Sequence, residues 1–372
     1  MKNILFFFVL LALSGCQQNP KSNSEYTGEY SFFVGTYTDG KSEGIYKYKL
    51  CAGGSIHLIG LAAKTNNPSF LALGPERNHL LAVSEIDRQG GESGIKSFAI
   101  SDDSLVLIDQ GPSGGAHPCF VAVNEMGYIL VANYTGGNVG LLKMCDDGTL
   151  SELLDVEQHT GQGITSRQES PHAHSSWFVP ETNDIISVDL GTNELWFSSL
   201  NDSLQKLIPL NTRTLAMAPG AGPRHLTIHP NGKWIYVLNE LDCTVTVVER
   251  INQNNYKILI SISTLPPDFD EHNSGADIHI TGDGKYLYTS NRGHNSIAVF
   301  KVDEITGSLT ALGHQSTKGK TPRNFSLSPD ERYLVVANQN SDNIVSFARD
   351  ESTGLLKYVA QIDAPSPVCI LF

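Results

Sequence analysis

GPRHLTIHPNGKWIYVLNE, residues 222–240, reads as an alternating strand, a turn built on Pro230, Asn231 and Gly232, and a second strand ending in Asn239. The same pattern recurs as NPSFLALGPERNHLLAVSE from Asn67, HPCFVAVNEMGYILVANY from His117 and HAHSSWFVPETNDIISVDL from His172. It returns as GADIHITGDGKYLYTSNR from Gly275 and TPRNFSLSPDERYLVVANQ from Thr321. With Pro68, Pro118, Ala173, Pro223, Ala276 and Pro322 as equivalent positions, the intervals are 50, 55, 50, 53 and 46 residues. Such a period holds four short strands per unit, the third and fourth of the second unit falling at Asn138 to Met144 and Leu150 to His159.

A seventh copy is divided between the ends of the chain. Ser366 to Phe372 (SPVCILF) supplies a first strand with Pro367 in register, and SFFVGTY near the N-terminus supplies the second. Thr36 then stands where Asn133, Asn239 and Asn338 stand in other copies. No convincing helical periodicity follows residue 16. The expectation is an all-β chain: one seven-bladed β-propeller over residues 30–372, with four-stranded blades and the last blade closed by both termini. That closure removes exposed strand edges. WD and kelch signatures do not repeat along the chain.

Antiparallel pairing brings the start of each first strand beside the end of the second, at one rim of the channel. The first position reads Ser69, Cys119, His174, Arg224, Asp277, Arg323 and Val368 around the ring. The second reads Ile86, Tyr134, Leu190, Glu240, Arg292, Gln339 and Tyr37. Charged groups gather on neighbouring blades: His174, then Arg224 and Glu240, then Asp277 and Arg292, then Arg323. Guanidiniums fork onto carboxylate or phosphate, which points to a small anionic ligand, and His and Glu move protons near neutral pH. The blander alternative is a rim of solvated ion pairs.

His172 and His174 form an H-x-H pair on one strand face, which is half of a metal site; the arginines beside it oppose a cation, so neither a metal nor a cofactor is expected. The G-x-S-x-G run at Gly111 to Gly115 lacks the strand–turn–helix that a nucleophile elbow requires. With 39 acidic against 26 basic residues, a formal charge of −13 and no Lys/Arg-rich run, nucleic acid is excluded as a partner. Lys2, the apolar run from Ile4 to Leu13 and Leu13-Ser-Gly-Cys16 resemble a bacterial lipoprotein signal, the run being too short to span a bilayer of about 30 Å. Residues 1–15 are therefore expected to be removed and Cys16 lipidated. Residues 16–29 would tether the domain at the cell envelope, periplasmic or surface-exposed, with the lipid anchor its sole membrane contact. The remaining five cysteines include no CxxC pair.

Pro171-His-Ala-His174, Gly222-Pro-Arg-His225, Asn239-Glu240, the segment from Asn291 to Phe300 and Thr321-Pro-Arg-Asn-Phe325 together resemble the seven-bladed-propeller lactonases. That family includes the propeller type of 6-phosphogluconolactonase and the fungal carboxy-cis,cis-muconate cyclase. The resemblance covers residues 30–372 and implies a lactonase, a carboxylic ester hydrolase, working by general acid–base catalysis on a small anionic lactone or sugar acid. It implies catalytic roles for His174, Glu240, Arg224 and Arg292, with His172 competing for the histidine role. His172, His225, Asp277 and Arg323 are expected to bind substrate. Export sets the chain apart from a cytosolic phosphosugar enzyme, favouring unphosphorylated aldonolactones or uronate-derived lactones. A non-catalytic sugar-acid-binding or scaffold propeller and a muconate-type cycloisomerase are the alternatives.

Overall fold

The computed structural model describes residues 28–87 and 93–372, so the expected signal peptide and Cys16 lie outside the described residues. Seven four-stranded antiparallel sheets form the molecule. Blades one to six run consecutively over residues 71–111, 118–158, 173–216, 223–263, 274–316 and 322–363. The seventh orders Pro367–Leu371, Tyr30–Thr36, Gly44–Leu50 and Ile56–Lys64 side by side, which is the terminal closure expected from the split repeat. In the second blade the fourth strand begins at Asp155 rather than Leu150, because Leu150 reaches Met144 only through an isolated bridge.

The second strands explain why the repeat is so readable. His79–Ser84, Tyr128–Asn133, Asp184–Asp189 and Trp234–Asn239 are buried at every position, as a strand packed on both faces must be. Their apolar faces interlock with neighbouring blades; one cluster joins Val188 and Phe197 of blade three to Leu226 and Val237 of blade four. The terminal Asn is buried as well, and in three copies its amide nitrogen donates to the chain crossing between blades. Asn133 donates to Ser113 O at 2.9 Å, Asn291 to Thr264 O at 2.8 Å and Asn338 to Thr317 O at 3.0 Å. The amide nitrogen carries two N–H donors, so it can clamp a crossover from a position that excludes water.

The first strands carry a second regularity. Pro118 pairs with Asn133, but Phe120 pairs with Ala132, leaving Cys119 as the extra residue of a β-bulge. The same slip isolates His174, Arg224 and Arg323, and on the terminal strand Val368. A bulge turns its extra side chain out of the ladder, and Cys119, His174 and Arg323 thereby reach the channel mouth.

Candidate active site

A cavity of about 400 Å³ at that mouth is lined by Tyr37, Glu85, Cys119, Tyr134, Arg167, His174, Glu240, Ser274, Arg292 and Arg323. At its floor Glu240, 4% exposed, draws three arginines together. Its carboxylate lies 3.1 Å from Arg224 Nε, 2.9 Å from Arg292 Nη2 and 3.2 Å from Arg167 Nη2. Burial pushes the Glu240 carboxyl up, yet Arg292, Arg224, Arg167 and Arg323 outweigh it and hold the group at about 2. It is an anion throughout the neutral range and a weak base.

His174 Nε2 stands 4.0 Å from Glu240 Oε2. Burial, followed by repulsion from Arg224, His225 and Arg323, drives this imidazole well below its ordinary value, so it is neutral at pH 7. Cys119 Sγ lies 3.7 Å from its Nδ1 and donates to the His174 carbonyl. Burial raises the Cys119 thiol far above its usual value, so it is no nucleophile. Arg323 differs from the other guanidiniums: it stacks over Tyr37 with its carbon 5.3 Å from the ring centre and makes no hydrogen bond or ion pair among the described residues. Tyr37 donates to Glu85 at 2.8 Å on the same side. Four guanidiniums against two carboxylates leave an excess of two positive charges around the cavity.

The candidate residues occupy two tiers. His174, Glu240, Arg292 and Arg323 reach the cavity. Arg224 lies beneath it, 2% exposed, donating to Ala276 O and to His225 Nε2 at 3.2 Å while it braces Glu240. Burial, then repulsion from Arg292 and Arg323, lowers it to about 10. His225 and Asp277 are lower still. Ile278 pairs with Thr289 as Leu226 pairs with Val237, so Ala276 is the bulged residue of blade five and Asp277 stands level with His225. The expected placing of Asp277 at the rim is thus one residue out of register. Asp277 accepts from His225 Nδ1 at 2.9 Å, His279 Nε2 at 3.0 Å, Asn324 Nδ2 at 2.6 Å and Phe325 N at 3.3 Å. Burial opposes its charge, but His279 and His225 hold the carboxyl well below the carboxylate range. Burial and Arg224 lower His225 to about 4, against the pull of Asp277.

This arrangement fixes Arg224 from below, and Asp277→Asn should cost about 2–4 kcal/mol by leaving donors without an acceptor. Urea unfolding at pH 7 measures it; an unchanged midpoint would show the tier to be dispensable.

His172 is placed apart from the cavity. Its ring stacks on Tyr134 at 4.5 Å, Nδ1 faces Tyr134 O at 3.1 Å and Nε2 lies 3.6 Å from Glu169. It positions Tyr134, and the histidine in the cavity is His174. The two histidines do not share a site, and among the described residues no group of three His, Cys, Asp or Glu side chains is arranged to hold a metal ion. Ser113 is buried in its inter-blade loop, donating to Gly115 O. All five described cysteines are free thiols.

Three cavity residues, Glu85, Arg167 and Ser274, escaped the repeat arithmetic. Ser84 ends its strand where Asn133 ends its own, so the mouth residue is Glu85 and not Ile86. Cys119 and Tyr134 were in register but uncharged. Arg167 belongs to the loop between blades two and three and has no counterpart in the period.

A sequence model of the family described as "Lactonase, 7-bladed beta-propeller" matches residues 31–372. A 6-phosphogluconolactonase of Bacillus subtilis is 36% identical over 350 residues, which cover 92% of this chain and 98% of the relative. The solved periplasmic gluconolactonase of Pseudomonas aeruginosa superimposes with a TM-score of 0.87 at 31% identity, covering 92% of this chain and 98% of that one. A solved protein of Lactobacillus plantarum gives the same TM-score at 33% identity, covering 92% and 99%. The chain belongs to the seven-bladed β-propeller lactonase family.

Proposed function

We propose that the protein hydrolyses a sugar-type lactone and that His174 carries the proton in that reaction. The observation behind this reading is the shared cavity, where a neutral imidazole and the unpaired guanidinium of Arg323 face the same space. Water attacks the lactone carbonyl as His174 Nε2 takes its proton, forming the new C–O bond. The resulting imidazolium sits beside the Glu240 carboxylate, which compensates its charge. Arg323 and Arg292 donate to the oxyanion as it develops. Collapse breaks the ring C–O bond, and His174 returns the proton to the departing alkoxide. Glu240 is too weak a base for the first transfer and acts by charge. No serine or cysteine nucleophile is required, since the strained ester reacts with water directly.

The lipoprotein-type leader favours an unphosphorylated aldonolactone or uronate-derived lactone met at the cell envelope. The periplasmic gluconolactonase among the structural relatives supports that choice. The test is a hydrolysis panel of glucono-δ-lactone, its 6-phosphate and an aldaric monolactone, using residues 30–372. Opening at least one lactone faster than solvent, with the rate lost in His174→Ala, is the expected result; no acceleration on any of them defeats the reading. For the anchor, radiolabelled palmitate should enter the full chain and not a Cys16→Ser variant.

A further inference from the structure

Arg167 is the one guanidinium of the mouth that a loop, and not a blade strand, delivers. Its backbone is nonetheless fixed. The neighbouring Gln168 is fully buried and donates to Leu190 O at 2.9 Å and Asn193 Oδ1 at 3.0 Å, while Gly163 N donates to Gln168 O at 2.8 Å. The side chain is the opposite: it is 54% exposed, against 3% for Arg224 and 13% for Arg292. One nitrogen, Nη2, makes both of its contacts, to Tyr134 Oη at 2.9 Å and Glu240 Oε1 at 3.2 Å. A guanidinium has five N–H donors, so most of this fork is uncommitted. Neither partner depends on it. Glu240 keeps Arg224 and Arg292, and Tyr134 keeps its stack on His172. Only the arginine end of this pair is exposed, and Glu240 retains two other guanidiniums, so an incoming anion can take the place of Glu240 on Arg167 without leaving the carboxylate unpaired.

On the reading that the chain opens lactones, we propose that Arg167 is a specificity-determining residue: its guanidinium swings from Tyr134 and Glu240 to grip an anionic substituent, carboxylate or phosphate, projecting from the lactone ring. Arg323 serves the reacting carbonyl deeper in the cavity, whereas Arg167 reads the part of the substrate that stands in the mouth. A planar fork on a rigid loop suits that task, since both anion types accept two parallel N–H bonds.

The experiment separates kcat from KM for glucono-δ-lactone, its 6-phosphate and an aldaric monolactone, in wild type, Arg167→Gln and Arg167→Lys. In R167Q the preference for the anionic lactones over the neutral one, as a ratio of kcat/KM, should fall at least tenfold, mainly through their KM. R167K should keep part of it, and raised salt should erode the wild-type preference. The phosphate and carboxylate arms show which anion is read. An equal loss on all three lactones overturns the proposal, because support of Glu240 or Tyr134 alone would act on every substrate. An unchanged ratio overturns it too. If wild type opens none of the three, the lactonase reading fails separately. Calorimetric titration of gluconate and its 6-phosphate then still compares wild type with R167Q, and equal weakening of both acids counts against Arg167.

Discussion

Deleting residues 366–372 should abolish cooperative folding at ordinary temperature, although chain ends commonly fray at little cost. Pro367–Leu371 is the innermost strand of the seventh blade, paired with Tyr30–Thr36 from Phe33↔Leu371 to Thr36↔Pro367. Val368 and Cys369 are each 2% exposed, and Ile370 is 5% exposed. Ile370 packs with Val335, Ala337 and Ile344 of blade six, whereas Cys369 packs with Leu71 and Leu80 of blade one. Phe372 lies 5.0 Å from the Phe32 ring. Each buried apolar side chain contributes roughly 1.5–3 kcal/mol, and a whole domain retains only about 5–15 kcal/mol. The strand also completes polar accounts: Ile370 N donates to Asn324 Oδ1, and Tyr37 N to Ser366 O. Its loss would therefore disturb Asn324 below the site and Tyr37 within it. Thermal melting of the truncated chain against the parent decides the matter, and an equal midpoint would mean that the closure carries no stability.

That closure was legible because burial leaves a periodic trace. A strand packed on both faces must be apolar throughout, a hairpin between such strands needs turn residues, and a buried crossover clamp selects Asn, so seven copies stood out without alignment to any other protein. The mouth was legible to within one residue. Blade five has Gly275 where Pro223 and Pro322 stand, so equating Ala276 with those prolines put Asp277 at the rim, whereas Ala276 occupies the bulge. The tier beneath the site was missed because charge alone does not distinguish a group facing a ligand from one facing His225. Arg167 had no signal of any kind. Its position depends on a non-repeating loop held by Gln168, and such loops follow no period.

Removing the imidazole should give the largest loss of rate: His174→Ala should lower kcat by about 10²–10⁴-fold, the range of general acid–base assistance. The pH profile distinguishes this from structural damage. A base works only when unprotonated, so activity is lost as pH falls through its folded-state pKa. Burial together with Arg224, His225 and Arg323 sets that value well below 6.5, so wild-type rate should hold at acidities where an ordinary histidine is protonated. Glu240→Gln removes the anion beside His174 and leaves the arginines, so the acid limb should move further down while kcat falls, the imidazolium having lost its counter-charge. Stability follows the opposite limb. The unfolded chain binds protons to His174 and His225 near 6.5, but folded His225 does so only near 4. Stability should therefore decline as pH drops from 6.5 toward 4. Glu240, ordinarily near 4.5 and held at about 2, adds a further loss below 4.5. Rate and unfolding midpoint measured on one sample should consequently part between pH 6.5 and 5, with turnover persisting as stability declines. An acid limb at 6.5 or above would show that the proton carrier is a solvent-exposed group and not the buried histidine beside Glu240.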